Sequence, residues 1–235
     1  SPQCSNISTV SLNVYDGSLV CTSGTGTNLL VNPSFTNGNT GFTSTYRYVS
    51  TPYQANTTND GLVPEATYAV ATDARNYHNN FTGVGRTGSG DNFMIVNGSQ
   101  NLSVIYQQTV TVRPNTYYNF SAYATSVNEV SPAQLGFVIN GKSTSSVTTL
   151  STTFNNYIRI SDLWFSGNST TAVIEIRDVN KTEGGNDFGL DDLYMGTCAI
   201  GLTANNVTSG ALSNVAPASS VPPMKATVAS GPSVG

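Results

Sequence analysis

Apolar and polar residues alternate with period two over most of the stretch from 28 to 195, and nowhere does an apolar period of 3.6 persist. Period two sends successive side chains to opposite faces of an extended chain, so this stretch reads as strands with one buried face. Strands are predicted at Leu29–Val31, Thr43–Val49, Thr67–Ala71, Asn92–Val96, Leu102–Val112, Thr116–Ser126, Gln134–Asn140, Phe154–Phe165, Ala172–Asp178 and Phe188–Met195. Asn140-Gly141 predicts a two-residue hairpin, because the favoured turn needs positive φ at both central positions. Pro114-Asn115 separates two long strands and reads as another tight antiparallel turn. Strands at this spacing predict an all-β jelly roll or β-sandwich over residues 27–198, with minimal helix.

The flanks are patterned differently and read as extended N- and C-terminal arms. In residues 1–26, Val10, Leu12 and Val14 alternate, Asp16-Gly17 turns, and Leu19-Val20-Cys21 returns. Residues 199–235 hold no aromatic residue, one charge (Lys225) and four prolines. Such a segment cannot bury enough surface to fold alone. Its alternations, Ile200-x-Leu202 and Met224-x-Ala226-x-Val228, suit short strands laid against another surface. Fully extended, the segment reaches about 120 Å, against about 40 Å for the domain.

Composition narrows the class. Of 235 residues only 22 are charged, and Ser plus Thr number 59. Nine scattered basic residues cannot track a phosphate backbone, which excludes nucleic acid as a partner. No apolar run is long enough to span a bilayer. Nine Asn-x-Ser/Thr sequons, at Asn6, Asn56, Asn80, Asn97, Asn101, Asn119, Asn168, Asn180 and Asn206, are candidate sites for N-linked glycans. Cys21 precedes the first domain strand and Cys198 follows the last, so the two could bridge and seal the sandwich; Cys4–Cys21, with Cys198 a buried thiol, is the other pairing. The chain opens with no charged segment followed by an apolar one, so a secreted protein is read here in processed form. These features together predict a secreted, extracellular or cell-surface protein.

The catalytic inventory is thin. His78 is the only imidazole, lies in a loop pattern and has no nucleophile motif near it. No carboxylate pair has the arrangement a glycosidase needs. The chain therefore reads as a non-enzyme that requires no cofactor. Trp164 reads as a core residue. Tyr46, Tyr48, Tyr53 and Tyr77, in loop-rich stretches, are the candidate platforms for a sugar ring.

Three stretches carry a resemblance: Asn32-Pro-Ser-Phe35 with Gly38-Asn-Thr-Gly-Phe42; Gln107-Gln-Thr-Val-Thr-Val112 running into Pro114-Asn-Thr-Tyr-Tyr-Asn-Phe-Ser121; and Gly185-Asn-Asp-Phe-Gly-Leu-Asp-Asp-Leu193. Over residues 28–196 the chain resembles the carbohydrate-binding-module-like (galactose-binding-like) jelly rolls of secreted bacterial enzymes and surface adhesins. The resemblance implies a structural calcium near the first and last strands, with Asp187, Asp191 and Asp192 as candidate ligands. Where that pattern carries Glu after the Phe of its first motif, this chain has Thr36, one hard oxygen ligand fewer.

Two functions are expected. The first is a non-catalytic subunit of an extracellular filament, a homopolymer joined head to tail by insertion of an arm into the neighbouring sandwich. Ile200, Leu202, Met224, Ala226 and Val228 would be the inserted side chains, with Val10, Leu12 and Val14 as the alternative donor. The second is a carbohydrate-binding module or adhesin domain whose partner is a polysaccharide.

Overall fold

The computed structural model describes residues 19–24, 26–55, 60–182 and 184–202. Eleven strands are found there: β1 Leu19–Gly24, β2 Arg47–Tyr48, β3 Thr67–Ala71, β4 Phe93–Asn97, β5 Tyr106–Thr111, β6 Tyr117–Ser126, β7 Gln134–Ile139, β8 Lys142–Thr149, β9 Ile158–Phe165, β10 Thr171–Asp178 and β11 Phe188–Leu202. The only helical element among the described residues is a single 3-10 turn, Ala74–Asn76, capped by the Asp73 carboxylate. No helix among them is long and apolar enough to cross a membrane.

The strands form a β-sandwich, as the alternation requires. The large sheet runs β2-β3-β4-β11-β6-β9, with β1 paired to the far part of β11; the small sheet runs β5-β10-β7-β8. Alternation sets the faces. In β6, Tyr118, Phe120, Ala122 and Ala124 enter the core, and Tyr117, Asn119, Ser121 and Tyr123 point away. Phe120 of the large sheet meets Phe137 of the small sheet with ring centroids 4.5 Å apart. A second apolar cluster, Val49, Leu62, Ala69, Ala74, Phe81, Phe93, Ile95 and Val127, lies on the outer side of the large sheet. There the loops between β2 and β4 cover β3 and β4.

Several strand expectations change. Leu29–Val31 is a bend held by Leu29 N–H to the Met195 carbonyl at 2.7 Å, followed by Asn32 at φ 53. Thr43–Val49 divides between sheets, since Thr43 bridges to Gln107 of β5 while Arg47 and Tyr48 pair in parallel with β3. Asn140-Gly141 does make the β7–β8 hairpin, at φ 51 and 75. Pro114-Asn115 does not make a hairpin: β5 and β6 belong to different sheets, and the turn carries the chain across the sandwich. The β9–β10 crossing beside it locks that corner, with Asn115 N–H donating to Gly167 O at 2.6 Å and the Ser166 hydroxyl to Arg113 O at 2.8 Å.

The last strand passes through the expected boundary at 198/199. Gly24, Cys21 and Leu19 pair with Cys198, Ile200 and Leu202, making an antiparallel ribbon from the two chain flanks. The Cys21–Cys198 disulfide crosses it, closing a separation of 177 residues. Ile200 and Leu202, expected as inserted side chains, lie in this ribbon opposite Cys21 and Leu19 of the same chain. Cys4, Val10, Leu12, Val14, Met224, Ala226 and Val228 lie outside the described residues.

Candidate functional site

Among the described residues the loops that cover β3 and β4 stop at the middle of the large sheet; beyond them Arg159, Ser161 and Phe165 of β9 are exposed, while Asn119 and Ser121 of β6 are buried. The edge of the cover is firmly tied. Arg86 N–H donates to Asp191 Oδ2 at 3.0 Å, its guanidinium pairs with Asp192 and stands 4.3 Å over the Tyr123 ring, and Tyr157 OH donates to Val84 O at 2.8 Å. A bulge between Asp191 and Tyr194, with Asp192 at φ 44, makes this possible. The extra residue keeps Leu190, Leu193 and Met195 in the core and puts both Asp191 and Tyr194 on the outer face.

Register builds the open half. Tyr123 lies opposite Arg159, Ser121 opposite Ser161, Asn119 opposite Leu163 and Tyr117 opposite Phe165; on the other side Ser121 lies opposite Tyr194 and Asn119 opposite Gly196. Gly196 has a geometric role, since a Cβ there would run into the Tyr194 hydroxyl. The Tyr194 ring lies over this glycine, and its OH donates to Gly26 O at 2.8 Å. Burial pushes the Tyr194 hydroxyl above its ordinary pKa, while the Gly26 bond and the Arg159 charge pull it back.

Arg159 is exposed on this face, yet its guanidinium is anchored. Nη2 donates to Asn119 Oδ1 at 2.7 Å and to Ser121 Oγ at 3.0 Å. Asn119 is itself held, its amide donating to Asp162 O at 3.2 Å. Tyr117 and Phe165, with centroids 4.8 Å apart, close the far end. The result is a ring of fixed tilt, a fixed guanidinium and an aromatic pair on one rigid sheet. Such a surface can stack on a sugar ring and donate hydrogen bonds to its oxygens.

The outer face of the small sheet has another character. Glu175, only 7% exposed, accepts from Gln107 Nε2 at 3.0 Å and pairs with Arg177 at 2.6 Å. These polar groups satisfy one another, and no aromatic side chain stands among the outward positions of its strands.

The expected tyrosine platforms separate. Tyr46 is buried, with burial driving its hydroxyl far above the ordinary range. Tyr48, Tyr53 and Tyr77 do gather at the loops: Tyr77 OH donates to Ser50 O at 3.5 Å, and Gly61 sits against both Tyr53 and Tyr77. Tyr48 is the exposed member of the group. His78 stacks on Phe81 with centroids 4.3 Å apart, its Nδ1 accepts from Asn80 N–H at 3.2 Å, and burial lowers its pKa. Trp164 is half-buried against the core, 5.9 Å from Tyr118.

Each of the three aspartates accepts hydrogen bonds from protein donors. Asp187 accepts from Gly98 N–H and Asn128 Nδ2, both at 2.9 Å. Asp191 and Asp192 are spent on Arg86, and Asp192 also accepts from Ser34 Oγ at 2.5 Å. Among the described residues no three His, Cys, Asp or Glu side chains come together as a metal site. The sequons also divide. Asn80, Asn101 and Asn168 are exposed. The amides of Asn97, Asn119 and Asn180 donate to backbone carbonyls instead, and Asn6, Asn56 and Asn206 lie outside the described residues.

Tyr194, Arg159, Ser121 and Gly196 did not emerge from the sequence as site residues. One signal was available, because the alternation Tyr117-x-Asn119-x-Ser121-x-Tyr123 sets aromatic and hydrogen-bonding side chains on one face. The partnership of Tyr194 with Gly196 and Gly26 had no such signal.

No protein-family model matches the chain, and no curated protein matches it. Solved structures similar to it include the CBM22-1 xylan-binding domain of Paenibacillus barcinonensis Xyn10C, at 14% identity and TM-score 0.45, covering 75% of this chain and 98% of that one. TmCBM61, solved with β-1,4-galactotriose, is 13% identical with TM-score 0.43, covering 73% and 99%. A family 16 carbohydrate-binding module is 14% identical with TM-score 0.39, covering 72% and 99%. What each of them binds is a property of that protein and assigns no ligand here.

Proposed function

We propose that this chain is a non-catalytic, extracellular carbohydrate-binding domain that takes a polysaccharide on the open half of its large sheet. The observation that carries the reading is the fixed pair on that face: the Tyr194 ring laid over Gly196, and the Arg159 guanidinium anchored by Asn119 and Ser121. A sugar presents an apolar ring face and a rim of hydroxyls, and such a ligand is bound by an aromatic platform with polar groups beside it. Because the side chains are already ordered, binding costs little further conformational entropy. The Cys21–Cys198 disulfide supports an oxidising, extracellular setting.

Affinity electrophoresis through gels containing neutral and acidic polysaccharides tests the reading. Retardation by at least one of them should fall about tenfold or more in Tyr194→Ala, the loss of one aromatic contact of about 1.5 kcal/mol. Gly196→Val should act similarly by displacing the ring. Tyr48→Ala and Tyr77→Ala serve as the comparison: if they abolish binding and Tyr194→Ala does not, the site belongs to the loops. Retention on no polysaccharide rejects carbohydrate binding altogether.

A further inference from the structure

We infer that the ligand of this face carries carboxylates: it is an acidic polysaccharide containing uronic-acid units, recognised by Arg159. The inference rests on the carbohydrate reading of the open face and specifies its ligand class.

The ion pairs among the described residues use Arg75, Arg86 and Arg177; Arg159 has no carboxylate partner among them. An exposed arginine ordinarily keeps its rotamer freedom, but here two buried oxygens, on Asn119 and Ser121, orient the guanidinium. Both are neutral, so they direct the cation without cancelling its charge. A guanidinium has five N–H donors; these two bonds occupy both hydrogens of Nη2, leaving the Nε donor on one side and the Nη1 donors on the other for single hydrogen bonds. A fixed cation gives an anionic oxygen a charge-assisted hydrogen bond, stronger than the one it gives a neutral hydroxyl.

The nearby acidic groups do not compete. Asp162, next on the same strand as Ser161, turns to the other side, where its Oδ2 accepts from Ser146 N–H at 3.2 Å. Asp191 is covered by the Arg86 backbone. Around Arg159 the face presents Ser161, Leu163, Tyr194, Tyr117 and Phe165, all uncharged, and across Tyr123 the Arg86–Asp192 pair, whose charges offset each other. An anchored cation with no carboxylate partner among the described residues, beside a stacking ring, is complementary to a sugar ring bearing an anionic substituent.

The test compares polygalacturonate with its fully methyl-esterified form, which keeps the sugar backbone and removes the charge, using affinity electrophoresis and calorimetry on the full chain. The expected result is binding to polygalacturonate that falls at least tenfold on esterification and in Arg159→Gln, the scale of one charge-assisted hydrogen bond. Binding should also weaken between 50 and 500 mM NaCl, as an exposed charge contact must. Arg159→Lys, which keeps the charge and loses the anchored guanidinium geometry, should retain part of the affinity, and thermal melts should show both variants folded. Equal binding to acid and ester overturns the inference, as does undiminished binding by a folded Arg159→Gln. Binding of neutral polysaccharides alone, lost in Tyr194→Ala, rejects the carboxylate and keeps the carbohydrate site. No binding to any polysaccharide rejects both.

Discussion

Asp187 should make this protein less stable as the solution turns from acidic to neutral. Its carboxylate is buried beside Glu65 and Asp178, and burial followed by those charges lifts its pKa from 3.8 to about 7, against the opposing pull of the Gly98 and Asn128 hydrogen bonds. A carboxyl group whose pKa is raised by folding favours the protonated native state. Its contribution is complete below pH 3.8 and is lost as pH rises toward 7. At about 1.4 kcal/mol per pH unit, that interval amounts to about 4 kcal/mol. Asp178 and Asp191 are shifted the same way, to about 6 and about 7, so the trend is shared. Asp187→Asn isolates one member. The new amide would face Asn128 Nδ2, whose own orientation is held because Asn128 Oδ1 accepts from Val130 N–H at 3.1 Å. The variant should therefore be weaker at pH 5, by about 1–3 kcal/mol for the unsatisfied donors. Its stability should nevertheless fall less steeply, by about 1.4 kcal/mol per unit between pH 5 and 7. Urea unfolding followed by the fluorescence of Trp164, the single tryptophan, measures both quantities. Equal slopes in wild type and variant would refute the assignment of a proton to Asp187.

Three other outcomes follow from the packing. Gly189→Ala places a Cβ 2.6 Å from the Phe93 ring and should cost about 1–3 kcal/mol as an overpacked contact; an unchanged urea midpoint would show that the neighbouring strands yield freely. Reducing Cys21–Cys198 should lower the melting temperature, with roughly 5 kcal/mol as the chain-entropy value for so long a loop; calorimetry with and without reductant decides, and coincident melts would count against it. Secretion from a eukaryotic host should yield glycans on Asn80, Asn101 or Asn168 and none on Asn97, Asn119 or Asn180; peptide mass spectrometry showing Asn97 occupied would contradict its buried bond to Leu62 O.

The strands were legible where alternation is strict and both neighbours are regular. Thr67–Ala71 emerges with the predicted bounds, and β4, β6, β7 and β10 within one residue. The reading failed where the chain changes sheet. Pro114-Asn115 carries the residue types of a hairpin turn, and the same residues serve a crossing; which one forms depends on whether β5 finds its partner in β10 or β6. The end of β11 was missed because its alternation looks the same whether the strand pairs within the chain or with another chain. Of the candidate site, the outward row of β6 was visible in the pattern. The loop tyrosines stand out in the sequence by context alone, and burial of Tyr46 shows how little that context says about exposure.

By itself the chain determines its class and its main pairing options. Period-two patterning demands a half-buried sheet, nine scattered basic residues offer no run to follow a nucleic-acid phosphate backbone, and the positions of Cys21 and Cys198 allow the bridge that forms. These are local or compositional properties, set by the strand repeat and the free energy of burying apolar area. Tertiary structure decided which half of the large sheet is open, where Tyr194 lies and what Arg159 is bonded to. Those facts depend on register, on a one-residue bulge, and on contacts between residues as far apart in sequence as Gly26 and Tyr194. Register and bulges come from packing many strands at once, so no single window of sequence contains them.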